Sequence, residues 1–175
     1  MRRNIVLTLT GADKVGLVEE VTKVLLDLGA NVENSRMARL GGEFAMLALV
    51  SVSPEQADGL EAALDHLAQR GYKLTVSETE QHQAPLRPGW AAYAIQVDGA
   101  DHEGIIHQIA AGLTARGISI ESMETSVSPA PMSATLLFSM KAQVIVPPGI
   151  SEAEWLAALD EAGRSSNVDV AVSAL

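Results

Sequence analysis

The sequence predicts an α+β protein made of two copies of one βαββαβ module, each an antiparallel sheet carrying two helices on one face. Three observations predict it. The chain matches itself at a constant offset, the segment before each matching motif alternates apolar and polar residues, and the segment after it repeats apolar residues at helical spacing.

The self-match sets Gly11-Ala12-Asp13-Lys14-Val15-Gly16-Leu17-Val18 against Gly99-Ala100-Asp101-His102-Glu103-Gly104-Ile105-Ile106, an offset of 88. The same offset aligns Gly29 with Gly117, Asn31 with Ser119, Val32 with Ile120 and Glu33 with Glu121. Before the motif, Ile5, Leu7 and Leu9 alternate with other residues, as do Tyr93, Ile95 and Val97, which predicts a strand. After it, Val18, Val21, Leu25 and Leu28 form one apolar helix face, with Ile106, Ile109 and Leu113 as counterparts. Asp13 and Asp101 are expected to cap these helices at their N-termini, and Gly29 and Gly117 to end them in a left-handed conformation.

A hairpin is predicted next, with strands over Asn31–Leu40 and Glu43–Val52 joined by Gly41-Gly42. The second copy has Ser128-Pro129-Ala130-Pro131 at the turn and continues over 133–146, so a longer third strand accounts for about six extra residues. Helices are expected over 54–69 and 151–163, and closing strands over 73–80 and 168–173. This order is the split βαβ, ferredoxin-like arrangement. Gln81-His82-Gln83-Ala84-Pro85-Leu86-Arg87-Pro88-Gly89 has the composition of a linker, giving modules over 1–80 and 92–175 with a linker over 81–91.

Composition narrows the function. The formal charge is −10, with −3 on the part ending at Pro88 and −7 on the rest, and no basic patch is readable. A protein that binds DNA unaided neutralises phosphates with Lys and Arg, so direct nucleic-acid binding is not expected. Aromatic residues make up 3% of the chain, which leaves little for base stacking. There is no cysteine, which removes disulfides, thiol nucleophiles and thiolate metal sites. The N-terminus alternates polar and apolar residues without a cleavage pattern, and no apolar run reaches the roughly 20 residues of a membrane span. A cytoplasmic protein without membrane contact is expected.

Chemistry is best placed at the glycine turns. A strand, a turn with Gly16 and a helix N-terminus can offer backbone N–H groups to a carboxylate. Equally, Gly16 and Gly104 could serve only to let helix and strand pack closely. The Asn31 amide can donate to a carboxylate and accept from an ammonium, or it can simply form a turn; Ser119 is the shorter counterpart. His102 and His107 lie five apart, off a common helix face, so no metal site is expected. Asp101-His102-Glu103 could suggest acid–base chemistry, but the first copy has Asp13-Lys14-Val15 there, and a capped turn is the preferred reading. No nucleophile elbow, phosphate loop or dinucleotide fingerprint occurs, so neither a cofactor nor catalysis is expected. Acylphosphatase-like enzymes share the element order but need an Arg after the first strand, and 11–18 contains none.

The motif Asp13-Lys14-Val15-Gly16-Leu17-Val18, its repeat Asp101-His102-Glu103-Gly104-Ile105-Ile106, and Asn31-Val32 together resemble the ACT domain family of regulatory amino-acid-binding modules. The resemblance covers nearly the whole chain outside the linker. Val15 and Glu103 stand where the family commonly has Pro, and Ser119 where it has Asn. Two linked copies most resemble the glycine cleavage system transcriptional repressor group, which implies an amino-acid-responsive regulator acting on a transcriptional activator by protein contact. The alternative is an ACT interaction or dimerisation module without ligand, such as a regulatory subunit of an amino-acid metabolic enzyme. The family's ligands usually sit between the glycine turn of one module and the strands of a neighbour. That implies a site for a small amino acid, glycine or serine, formed by Asp13, Lys14, Val15, Gly16, Leu17 and Asn31. A second would use Asp101, His102, Glu103, Gly104, Ile105 and Ser119. Unpaired sheet edges make a homo-oligomer plausible.

Overall fold

The computed structural model describes residues 2–80, 87–131 and 135–175. The chain divides into two units, Met1–Leu86 and Arg87–Leu175, each with its own apolar core. The first unit runs β1 (Arg3–Ala12), α1 (Leu17–Asp27), β2 (Asn31–Leu40), β3 (Glu43–Val52), α2 (Pro54–Ala57), α3 (Leu60–Gln69) and β4 (Lys73–Thr79). The second runs β5 (Ala91–Ala100), α4 (Ile105–Thr114), β6 (Ser119–Pro129), β7 (Leu136–Val146), α5 (Glu152–Ser165) and β8 (Val168–Ala174). Strand order is β2-β3-β1-β4 in one sheet and β6-β7-β5-β8 in the other, antiparallel throughout. Both units therefore have the βαββαβ fold that the repeat predicts.

Alternation explains the cores. Ile5, Leu7 and Leu9 of β1 meet Met46, Ala48 and Val50 of β3 on the face covered by the helices. Ile95 and Val97 do the same with Met140, Ala142 and Val144. The buried face of α1 is Leu17, Val21 and Leu25, and that of α4 is Ile105, Ile109 and Leu113. This is one residue away from part of the expected face: Val18 and Ile106 are 39% and 42% exposed. Steps of four residues from the first helical position hold the stripe over the sheet, and Val18 and Ile106 turn about 100° away from it.

Two other expectations are corrected, and two more fall partly outside the described residues. The helix expected over 54–69 is two, because Gly59 N–H donates to Gln56 O and a new helix starts at Leu60. The extra residues of the second copy lie mainly in the β6–β7 connection, six residues against the two of Gly41-Gly42, with one added to each flanking strand. Of the third strand expected over 133–146, residues 133–134 lie outside the described ones and β7 starts at Leu136. Of the linker over 81–91, residues 81–86 lie outside the described ones, Arg87 stacks over the Trp90 ring at 4.6 Å, and Ala91 already belongs to β5.

The helix ends show the remaining correction. Gly29 and Gly117 end α1 and α4 as expected, at φ 61° and 67°, with Ala30 N–H donating to Leu25 O and Ile118 N–H to Leu113 O. Asp13 and Asp101 do not cap the N-termini. The cap positions are Gly16 and Gly104, with no side-chain cap. Asp13 and Asp101 instead extend the sheets, their N–H groups donating to Gly42 O and Leu136 O at 2.9 and 2.8 Å.

Candidate functional site

Gly16 and Gly104 stand at φ 90° and 96°, a left-handed conformation that helps turn the chain from strand to helix across a four-residue connection. A Cβ built on either would meet nothing within 4 Å. The close-packing reading therefore fails for both: backbone conformation requires the glycine, and the space above it is open. Close packing falls instead to Gly11 and Gly99, at the ends of β1 and β5. A Cβ at Gly11 would come within 2.5 Å of the Tyr72 ring, and one at Gly99 within 2.7 Å of Val168. The Tyr72 hydroxyl donates to Ala12 O, which locks the ring over the start of the turn. Both glycines belong to the self-match, but their partners, Tyr72 and Val168, lie more than 60 residues on, so the motif alone could not reveal them.

In the first unit Val15 is fully exposed, while Leu17 is 2% exposed and belongs to the core. Leu17 N–H donates to Lys14 O and Glu20 N–H to Gly16 O. The Asp13 carboxylate lies 3.4 Å from the Arg39 guanidinium of β2. Glu20, in the first turn of α1, accepts from Arg70 and contacts His66; the Arg70 hydrogen bond holds its carboxyl below the usual range.

The second unit differs at the same turn. The first turn of α4 has no acidic residue. Ile105 is core, like Leu17. The His102 ring faces two carbonyl oxygens, Nδ1 to Glu103 O at 2.9 Å and Nε2 to Ser166 O at 2.5 Å. Those contacts, Ser166 foremost, raise its pKa above the ordinary 6.5, since both ring nitrogens donate only in the imidazolium. His102 thus ties the β5–α4 turn to the end of α5. Because the folded-state pKa is raised, this contribution is full below the unfolded-state value and is lost as pH rises through the folded one. We expect a thermal-unfolding series from about pH 6 to pH 8.5 to show the second unit weakening with pH, and His102→Asn to flatten that dependence.

Asn31 lies far from the glycine turn of its own unit. It pairs with Ser51, and Ser51 with Asn4 near the start of β1, whereas the turn follows Ala12 at the other end. Eight strand residues separate the two places, about 26 Å. Ser119 stands likewise, through Ile145 and Ala92, away from Gly104. One module therefore does not bring its own turn and its own Asn or Ser together.

A polar cluster surrounds Asn31. Its Nδ2 donates to Glu33 Oε1 at 2.9 Å, and the Ser51 hydroxyl donates to the same oxygen at 2.6 Å. Arg2 donates to the Ser51 hydroxyl, to Ser51 O and to Gly29 O. Glu33 is the extra residue of a β-bulge between Val32 and Asn34, and Glu121 stands in the same bulge between Ile120 and Ser122. Neither bulge is visible in a period-two reading, although Glu33 and Glu121 are aligned by the repeat. Asn4, 5% exposed, has its Oδ1 buried without a hydrogen-bond partner. Among the described residues no three His, Asp or Glu side chains gather as a metal site would need, and no helix is long and apolar enough to cross a membrane.

Comparison with known proteins agrees with this architecture. The ACT domain model matches residues 3–76. The glycine cleavage system transcriptional repressor of Escherichia coli (strain K12) is 31% identical over 127 residues, covering 72% of this chain and 66% of the repressor. The chain thus aligns with just under two thirds of that relative's length. A crystal structure of an unknown protein from Galdieria sulphuraria is 32% identical with a TM-score of 0.88, covering 100% of this chain and 99% of that one. A crystal structure attributed to a glycine cleavage system transcriptional repressor, 22% identical with a TM-score of 0.69 over 100% and 98% of the two chains, shares the fold.

Proposed function

Because the chain belongs to the ACT domain family, we propose that it is an amino-acid-responsive regulator that modulates a transcriptional activator by protein contact. The observation that carries this reading is the repeated glycine turn, left-handed in both units, with open space where a Cβ would stand. An open backbone beside a helix N-terminus suits the carboxylate of a small amino acid. Differential affinity of such a ligand for two states of the protein is what converts binding into a signal. The name of the E. coli relative supports glycine as the signal and transcription as the output. A charge of −10 suits an effect delivered through a protein rather than through DNA contact. No nucleophile–base pair is gathered at either turn, which supports a regulatory rather than a catalytic role.

The second reading, an interaction module without ligand, is favoured for the second unit alone, where the His102 ring is occupied by carbonyls and Ser119 replaces Asn. The test is size-exclusion chromatography of the chain mixed with the glycine cleavage system's activator from the same organism, with and without glycine. A complex whose amount changes at least severalfold with glycine is expected. A complex indifferent to every amino acid would favour the interaction module, and no complex in any condition would remove the proposed partner.

A further inference from the structure

Each unit ties the strand that ends at its glycine turn to the junction between its last helix and last strand, and the two do so with different chemistry. In the first, the Tyr72 hydroxyl donates to Ala12 O. In the second, Val168 stands beside Gly99 as Tyr72 stands beside Gly11, and it has no hydroxyl to offer. His102, which aligns with Lys14, makes the tie instead: its Nε2 lies 2.5 Å from Ser166 O and its Nδ1 2.9 Å from Glu103 O. Carbonyl oxygens can only accept, so the ring satisfies both contacts only when both of its nitrogens carry protons.

The two carbonyls are not held alike. Ser166 is 1% exposed, and the end of α5 is fastened to α4 by the Ser165 and Ser166 hydroxyls, which both donate to Gln108 Oε1. Glu103 is exposed, and its carbonyl belongs to the peptide that leads into Gly104, at φ 96° with open space above it. A neutral ring has one N–H. Losing a donor costs most at the buried Ser166 O, so that proton stays on Nε2. The Nδ1 lone pair then faces Glu103 O, and the glycine lets the peptide turn away. The elements that meet here carry Asp101 and Glu103 on the turn, His107 on α4, Glu161 and Arg164 near the end of α5 and Asp169 on β8. Asp101 favours the imidazolium, Arg164 is paired with Glu161, and among the described residues none of the six forms an ion pair with the ring.

We propose that His102 is a proton-operated latch on the glycine turn of the second unit: charged, it holds the Glu103–Gly104 peptide to the end of α5, and neutral, it stays on Ser166 and lets that peptide go. The latch is closed below the ordinary histidine value of 6.5 and opens as pH rises through the raised value of the folded protein. The first unit has no counterpart, because a tyrosine hydroxyl makes its tie and does not titrate in this range. His66 of that unit contacts Ala63 O and Glu20, away from residues 13–16. The inference goes beyond the regulatory reading above and stands whether or not either unit binds an amino acid.

Nitrogen NMR of the full chain at about pH 6 and about pH 8.5 tests it. Both ring nitrogens of His102 are expected to be protonated at the lower pH, and the ring to pass to the Nε2–H form at the higher. Over the same range the order parameter of the Gly104 amide is expected to fall from about 0.85 to about 0.6, while that of Gly16 stays at about 0.85. A ring that only titrates shifts nearby resonances without loosening Gly104, so the order parameter separates a latch from a bystander. His102→Lys stays charged across the range and should leave Gly104 equally ordered at both pH values, whereas His107→Gln should leave the wild-type change as it is. The wild-type comparison needs no variant, so a folding defect in His102→Lys does not blunt the test. Gly104 as well ordered at the higher pH as at the lower, a neutral ring in the Nδ1–H form, or a change that His107→Gln removes overturns the latch.

Discussion

Trp155→Ala should cost the second unit about 3–5 kcal/mol, the largest loss expected from a single substitution in either core. Trp155 is 1% exposed on α5, and its ring meets Tyr93 of β5 edge-on, with centroids 5.0 Å apart and planes at 71°. That contact joins α5 to β5, one of the two central strands of the sheet, where Leu159 and the buried residues of α4 complete the core. Truncation to alanine removes the largest fully buried side chain of the protein and leaves a cavity that Val, Ile and Met neighbours fill only in part. For a domain of this size each kcal/mol shifts the midpoint by about 4–8 °C, so the second unit's transition should fall by more than about 10 °C. Hydrogen exchange should show the loss of protection across 91–174. A loss below about 1 kcal/mol would mean that Trp155 is not the centre of that core.

Much of the fold is legible in the sequence because its causes are local. Strand bounds at Asn31–Leu40 and Glu43–Val52 follow from alternation around Gly41-Gly42, and both glycines do turn the chain at positive φ. The helix ends at Gly29 and Gly117 follow from the same chemistry. Where the reading failed, the deciding partner was distant. An Asp ahead of an apolar helical run is an ordinary cap candidate, but Asp13 lies four residues before Leu17, the left-handed Gly16 takes the cap position, and the ladder claims the Asp13 N–H for Gly42 O. The separation of Asn31 from the glycine turn is a consequence of the crossover: α1 carries the chain back along the sheet before β2 begins.

The candidate site was legible to a similar degree. The motif located the two turns and Asn31, yet two of its positions, Leu17 and Ile105, are core anchors, and His102 is tied down by two carbonyls. Ser51 and Asn4 carried no signal of their own, and the repeat aligned Glu33 with Glu121 without showing the bulge they occupy. A bulge changes which residues share a face, and Ser51 and Asn4 become neighbours only through the register of β1 on β3. Gly11 stands in the repeated motif, but its role depends on a ring at Tyr72 that Arg70 and Ala12 hold in place.

The most direct test of the account is thermal unfolding of the full chain against a panel of amino acids, glycine and serine included, at millimolar concentration. A ligand at about 100 times its dissociation constant adds about 2.7 kcal/mol, which raises the midpoint by several degrees. A selective rise with glycine or serine is expected, and none with the bulky members of the panel. A midpoint unmoved by every amino acid would contradict it and leave a pair of ACT modules that work through protein contacts alone.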